Sequence, residues 1–168
     1  MTTDAVSTFE DSLAALEVDS VRTSADGFED ALSETVVEPA VGAPLPFDDL
    51  TLDGTTVETD PSPADLDAAR TGVTAARMAI ADTGSIAIRS TAAFDEPISL
   101  FAERHVAVLD ADDVVEDVAA AFDQLGPWLA DDRASAIVAT GPSATADMGE
   151  LVLGAHGPRE VSVVIVDR

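Results

Sequence analysis

The chain has 168 residues, with 33 Asp plus Glu against 8 Lys plus Arg, a formal charge of −25, and no cysteine. Such a field repels nucleic acid and anionic lipid, both of which are bound largely through neutralisation of their negative charge. A chain without thiols supplies no disulfide and no thiolate for an iron–sulfur cluster.

The acids are spread along the whole length and 46% of residues are hydrophobic, a composition that predicts folding rather than disorder. The length suits one domain able to bury roughly two-thirds of its unfolded surface. All the basic residues are arginine, and Asp, Ala, Val and Thr are abundant, a pattern expected of a protein adapted to molar salt. The start, MTTDAVSTFEDSL, has neither a basic n-region nor an apolar h-region, and the apolar run VSVVIV is too short to span a bilayer. The expected location is cytoplasmic.

Val6, Phe9, Leu13 and Leu16 recur at helical spacing, and Ser7 with Glu10 has the capping-box pattern, so the first 17 residues read as an amphipathic helix. A second helix would carry Phe28, Ala31 and Leu32, giving an N-terminal helical segment over about 4–35 ahead of an α/β core over about 36–168. Proline and glycine punctuation between Val36 and Thr59 predicts short strands or loops. Ser62-Pro63-Ala64-Asp65 is a helix start, with a hydroxyl N-cap, proline in the first turn and an acid behind it. Two β-like runs around Asp82-Thr83-Gly84 suit a tight hairpin with Gly84 at positive φ.

Arg104 to Leu109 reads as a strand, and Asp110, Asp112 and Asp113 favour a helix N-terminus after it. That helix would present Val114, Val115, Val118, Ala119, Phe122 and Leu125 and close at Gly126-Pro127. The end of the chain reads as a strand over Ser135 to Thr140, a helix from about Thr145 to Leu153, and a strand over Val161 to Val166, both strands apolar on both faces. Buried strands alternating with helices predict a single Rossmann-like layered α/β domain, its sheet mixed but mostly parallel, with helices on both faces.

Chemistry concentrates in TGPSATAD (Thr140 to Asp147) and GAHGP (Gly154 to Pro158), which the intervening helix is expected to bring together. Gly141-Pro142-Ser143 would sit between a strand and a helix, at the strand edge where open α/β sheets bind ligands. Free N–H groups at Ala144 to Ala146, with the Ser143 and Thr145 hydroxyls, would then hold a carboxylate or phosphate, unless Ser143 or Thr145 is simply a cap. Ser143, Asp147 and His156 occur in the order of a hydrolase triad, but Pro142 precedes the serine and Thr145 stands where a nucleophile elbow requires its second glycine.

His156, on a glycine-flanked turn, suits either acid–base work or satisfaction of helix C-terminal carbonyls. His105, starting an apolar strand, suits a hydrogen-bonded structural role better than that of a ligand. Two histidines at unrelated positions and no cysteine do not make a transition-metal site. The Asp82-Thr83-Gly84-Ser85 tip would face the same crevice, and Arg77, Arg89, Arg104 and Arg159 are the cations nearest these motifs.

Taken in order, GVTAARMAIADTGS (Gly72 to Ser85), ISLFAERHVAVL (Ile98 to Leu109), GPSATAD (Gly141 to Asp147) and GAHGP resemble the LUD domain, the family of lactate-utilisation protein C, in a haloarchaeal-type member. Asp82-Thr83-Gly84-Ser85 stands where family members often carry Glu-Thr-Gly-Thr, and Glu96 and Ala144 stand where many carry arginine. The resemblance implies a fold of the NagB/RpiA/CoA-transferase type and a part in a multi-protein system oxidising L-lactate, with the iron–sulfur clusters on partner subunits and no redox cofactor in this chain.

On this reading the chain is an accessory or regulatory subunit. The alternatives are a small isomerase or transferase of the same fold and a carboxylate- or phosphate-binding module. The candidate acid–base residues are Asp82, Asp147 and His156, and the candidate ligand contacts are Thr83, Gly84, Ser85, His105, Gly141, Pro142, Ser143, Thr145 and Gly157.

Overall fold

The computed structural model describes residues 2–130 and 135–168. Its centre is a six-stranded, wholly parallel sheet in the order β1-β12-β7-β4-β2-β3. The strands are β1 (Asp19–Ser24), β2 (Ala40–Gly42), β3 (Val57–Glu58), β4 (Thr71–Ala76), β7 (Arg104–Asp110) and β12 (Glu160–Asp167).

The alternation of strand side chains divides the core. Val106, Val108, Val164 and Val166 face α2 (Phe28–Thr35) through Phe28, Ala31 and Leu32. Ala107, Leu109, Val163 and Ile165 face α1 (Thr2–Ala15) through Val6, Phe9 and Leu13. Helices thus cover both faces, and β4, β7 and most of β12 are buried on both sides, as predicted for parallel strands.

A second sheet lies over the α1 side, in the order β8-β5-β6-β9, made of β5 (Met78–Ile80), β6 (Ser85–Arg89), β8 (Val114–Val115) and β9 (Ala136–Thr140). The β5–β6 hairpin forms as expected, with Gly84 at φ 64°; the backbone and side chain of Ser12 and Leu16 lie where a β-carbon on Gly84 would go. α5 (Val118–Leu129) covers the outer side of this sheet through Ala121 and Leu125. α3 (Pro63–Ala68) starts at Ser62 with a reciprocal capping box to Asp65, and α4 (Asp95–Phe101) packs Ile98 on Val41 and Ala43.

Several expectations are corrected. The N-terminal segment is not purely helical, because β1 pairs with β12 as an edge of the central sheet. The first helix already runs at Thr2, so Ser7 lies inside it and not at its cap. Asp110 accepts from the Asp112 N–H in a short 3-10 turn, Val114–Val115 pairs with β5, and the helix starts only where Asp117 caps Ala120.

Pro127 falls in the last turn of α5 rather than beyond its end, and Phe122 is exposed rather than facing the core. β9 is not a doubly buried parallel strand; it is the antiparallel edge of the small sheet and only partly covered.

The largest correction concerns the segment expected as a helix over Thr145 to Leu153. It is an antiparallel hairpin of β10 (Ala144–Asp147) and β11 (Glu150–Leu153), turned by Met148 and Gly149 at φ 49° and 88°. Nine helical residues would hold their ends roughly 13 Å apart. A hairpin returns them to one place, which the contacts at its base require.

Candidate functional site

Ser143 makes those contacts. Its N–H donates to the Pro158 carbonyl at 2.9 Å and its carbonyl accepts from the Gly154 N–H at 2.8 Å. Its Oγ accepts from the His156 N–H at 3.3 Å. The Gly141–Ser143 and Gly154–Pro158 loops are therefore one unit, clamped by a single residue and closed at the far end by the β10–β11 turn.

Behind this unit is a cavity of about 200 Å³, walled by both loops, by Ile86, Ile88, Ile137 and Ala139 of the small sheet, by Ser99 and Leu100 of α4, and by His105, Val161 and Val163 of the central sheet. It lies between the two sheets at the amino ends of β7 and β12. This is the opposite edge from the one expected, because Gly141-Pro142-Ser143 follows a strand of the small sheet and not of the parallel one. The volume equals roughly seven waters at liquid density, so it accommodates a molecule of a few heavy atoms. The lining is mainly apolar with a few convergent polar groups, the usual make-up of a small-molecule site.

His105 is one of two fully buried polar residues in this wall, with Ser99. It is 2% exposed, and its Nε2 lies 2.9 Å from Oγ1 of the buried Thr74. Among the described residues no partner meets Nδ1, yet no buried side-chain polar atom is left unsatisfied. Burial lowers the imidazole pKa from 6.5 to about 4, so the ring that lines the cavity is neutral at pH 7, with one nitrogen a donor and the other an acceptor according to tautomer.

The other candidates divide clearly. Gly84, His105, Gly141, Pro142, Ser143, His156 and Gly157 line the cavity. Thr83 and Ser85 do not, but their hydroxyls form a chain to it, Thr83 Oγ1 to Ser85 Oγ at 2.8 Å and Ser85 Oγ to Thr140 Oγ1 of the wall at 2.7 Å. Asp82 is exposed at the hairpin tip, where its N–H donates to the Glu116 carbonyl.

Asp147 and Thr145 project from β10, outside the cavity. The helix N-terminus expected to bind an anion at Ala144 to Ala146 does not exist, since those N–H groups belong to a strand. No hydrolase triad assembles either: Ser143 meets the backbone of His156, and Asp147 sits on the exposed hairpin. The exposed His156 forms, with Gly157 and Leu100, the partition between this cavity and an open groove bordered by Phe101, Glu103 and Arg159.

Ser99, Leu100 and Thr140 are cavity residues that motif reasoning passed over. Ser99 and Leu100 lie inside the ISLFAERH segment, and Thr140 ends β9 beside Gly141. Their signal was membership of the quoted segments and nothing in their own chemistry. No group of three or more metal-ligating side chains occurs among the described residues, and no helix there is long and apolar enough to cross a membrane.

Comparison with known proteins agrees with this architecture. A crystal structure of a DUF162 family protein from Deinococcus radiodurans superposes with a TM-score of 0.75, covering 99% of this chain and 98% of that one at 22% identity. A protein named lactate utilization protein C, from the same organism, is 32% identical over 134 residues. That match takes in 78% of this chain but only 62% of the relative's length. The LUD domain model matches residues 12–166, from the end of α1 to the end of β12. The chain belongs to the LUD domain family.

Proposed function

We propose that this chain is an accessory or regulatory LUD-domain subunit of a system that oxidises L-lactate or a related organic acid, with a fold of the NagB/RpiA/CoA-transferase type. In this role it binds a small organic acid in the cavity between the sheets, carries no redox cofactor of its own, and works in the cytoplasm beside partner subunits that hold iron–sulfur clusters. The likeness to a lactate utilization protein and the absence of cysteine support the assignment to such a system.

The observation that carries the binding role is the cavity itself, closed by the Ser143 clamp and lined by the buried His105. The arrangement favours binding over turnover. Two of the three candidate acid–base residues, Asp82 and Asp147, lie outside the cavity, and the third, His156, is on its rim. The buried His105 imidazole resists protonation, which suits recognition of a polar group better than proton transfer near neutral pH.

Two measurements test the proposal. In molar salt, L-lactate or pyruvate at a hundred times its dissociation constant should stabilise the fold by about 2.7 kcal/mol, and Ala139→Phe, which fills the cavity, should abolish the gain. Affinity purification in the same salt should recover an iron–sulfur protein, and deletion should impair growth on L-lactate. Lack of stabilisation by either acid refutes the ligand, and normal growth with no such partner refutes the system.

A further inference from the structure

Arginine is scarce in this chain, and among the described residues four arginines are held in ion pairs. Arg22 pairs with Asp167, Arg70 with Glu103, Arg104 with Glu160, and Arg168 with both Asp49 and Asp110. Among the described residues Arg77, Arg89 and Arg159 have no carboxylate within ion-pair distance. With 33 acids available, an unpaired guanidinium calls for a reason.

Two of these three share one cavity. Arg77 and Arg89 line a recess of about 190 Å³ with Pro44, Pro46, Ala75, Thr91 and Asp95. Arg77 directly precedes β5 and Arg89 ends β6, the antiparallel partner of β5 in which Met78 faces Ala87. Two guanidinium groups lining one small recess repel each other, and an anion held between them would offset that repulsion. Asp95 does not neutralise the pair at contact distance; it is 7% exposed, and one of its oxygens accepts from the Thr91 hydroxyl. The field of Arg77 also reaches Asp113, whose pKa is nevertheless raised, first by burial.

The recess lies where β2 and β4 end, since Pro44 and Pro46 follow β2 while Ala75 is in the last two residues of β4 and Arg77 follows it. Ligands of open parallel sheets bind outside these carboxyl ends. The His105 cavity is at the other edge, and α4 spans the two, with Asp95 at the recess and Ser99 at the cavity.

We propose that Arg77 and Arg89 form a second ligand site, a receptor for the oxyanion of a small carboxylate or phosphate compound. Planar guanidinium groups bind either anion through paired N–H donors. Thr91 lies at the same wall as a further polar group.

Inorganic phosphate and acetate, titrated separately at constant molar ionic strength and followed by calorimetry, test the site and distinguish the two anions. At least one should bind wild type with a millimolar or tighter Kd. Arg77→Gln and Arg89→Gln should each weaken that binding tenfold or more, while Arg159→Gln leaves it unchanged. Arg89 is exposed, so its variant keeps the fold, and Arg89→Lys should retain only part of the affinity because it lacks the fork.

Binding of phosphate alone assigns the site to phosphate compounds, and binding of acetate alone assigns it to carboxylates. Failure of both anions to bind wild type, unchanged binding in both glutamine variants, or equal loss in Arg159→Gln overturns the proposal. Each outcome is separate from the His105 cavity, because Ala139→Phe should leave the arginine recess intact.

Discussion

His105 ties stability to the candidate site at the level of one side chain. Its folded pKa, about 4, lies below the 6.5 of an unburied imidazole, because burial disfavours the cation. The unfolded chain therefore takes up a proton between these values that the folded chain refuses. The stability contributed by the neutral ring is fully present above pH 6.5 and is lost as the pH falls towards 4.

Between pH 7 and pH 4.5 the loss should be roughly 2 kcal/mol. His105→Asn, which keeps a polar partner for Thr74, should remove this part of the pH dependence in urea unfolding. Carboxylate titrations are common to both proteins and cancel in the comparison; equal pH slopes would show that the ring is not held neutral. Seven of the twelve candidate residues line the cavity; all but His105, which stands on the apolar strand β7, sit on Gly- and Pro-marked turns and loops, whose backbone chemistry is local and so legible in the sequence. Thr145 and Asp147 could not be placed, because which way a strand residue points depends on a register fixed by distant partners, and Asp82 could not, because it stands on the exposed turn between β5 and β6.

For the elements, the hairpin from Ala144 to Leu153 shows where local propensity loses to closure of a loop. Ala146, Met148, Glu150 and Leu151 are good helix formers, and the run has no β-like alternation. The bonds from Ser143 to Gly154, His156 and Pro158 demand that the ends meet, and only a tight turn does that in so few residues. Both central residues of the turn have positive φ, the type I′ pattern for which Asn-Gly is preferred.

Met148 is 100% exposed and strained in that conformation, so Met148→Asn should stabilise the protein by roughly 0.5–1 kcal/mol. In a helix the same change would destabilise by a few tenths, so a lowered urea midpoint would reject the hairpin. Elements with strong local signals were legible: α2 by its periodic apolar face, α3 by Ser62-Pro63, the β5–β6 turn by Gly84, and β7 and β12 by their unbroken apolar runs. β1 was not, since DSVRTS is a half-exposed edge strand and acquires its identity only by pairing with β12.

For the whole molecule, two electrostatic effects respond to salt in opposite directions. The arginine pairs lose strength when salt is added, but they are exposed or half-buried and worth about 0–1 kcal/mol each. The repulsion among acids is relieved by salt, and the net charge of −25 makes it the larger effect in a compact chain. Its local sign appears at Asp113, where Asp110 and Asp112 add to burial in raising the pKa.

Screening acts over about 3 Å in 1 M salt and about 10 Å at 0.1 M, so dilution lets acids on neighbouring elements interact. Dilution from molar salt to below about 0.5 M is expected to lower the unfolding temperature progressively, in one cooperative transition, because α1 and β1 share the core of the central sheet. Sodium chloride and sucrose separate the causes: sucrose favours burial without screening, so it should not replace the salt. Asp112→Asn combined with Asp113→Asn should shift the requirement to lower salt. Full stability in dilute buffer, or complete rescue by sucrose, would mean that the acidic surface is not what the salt supports.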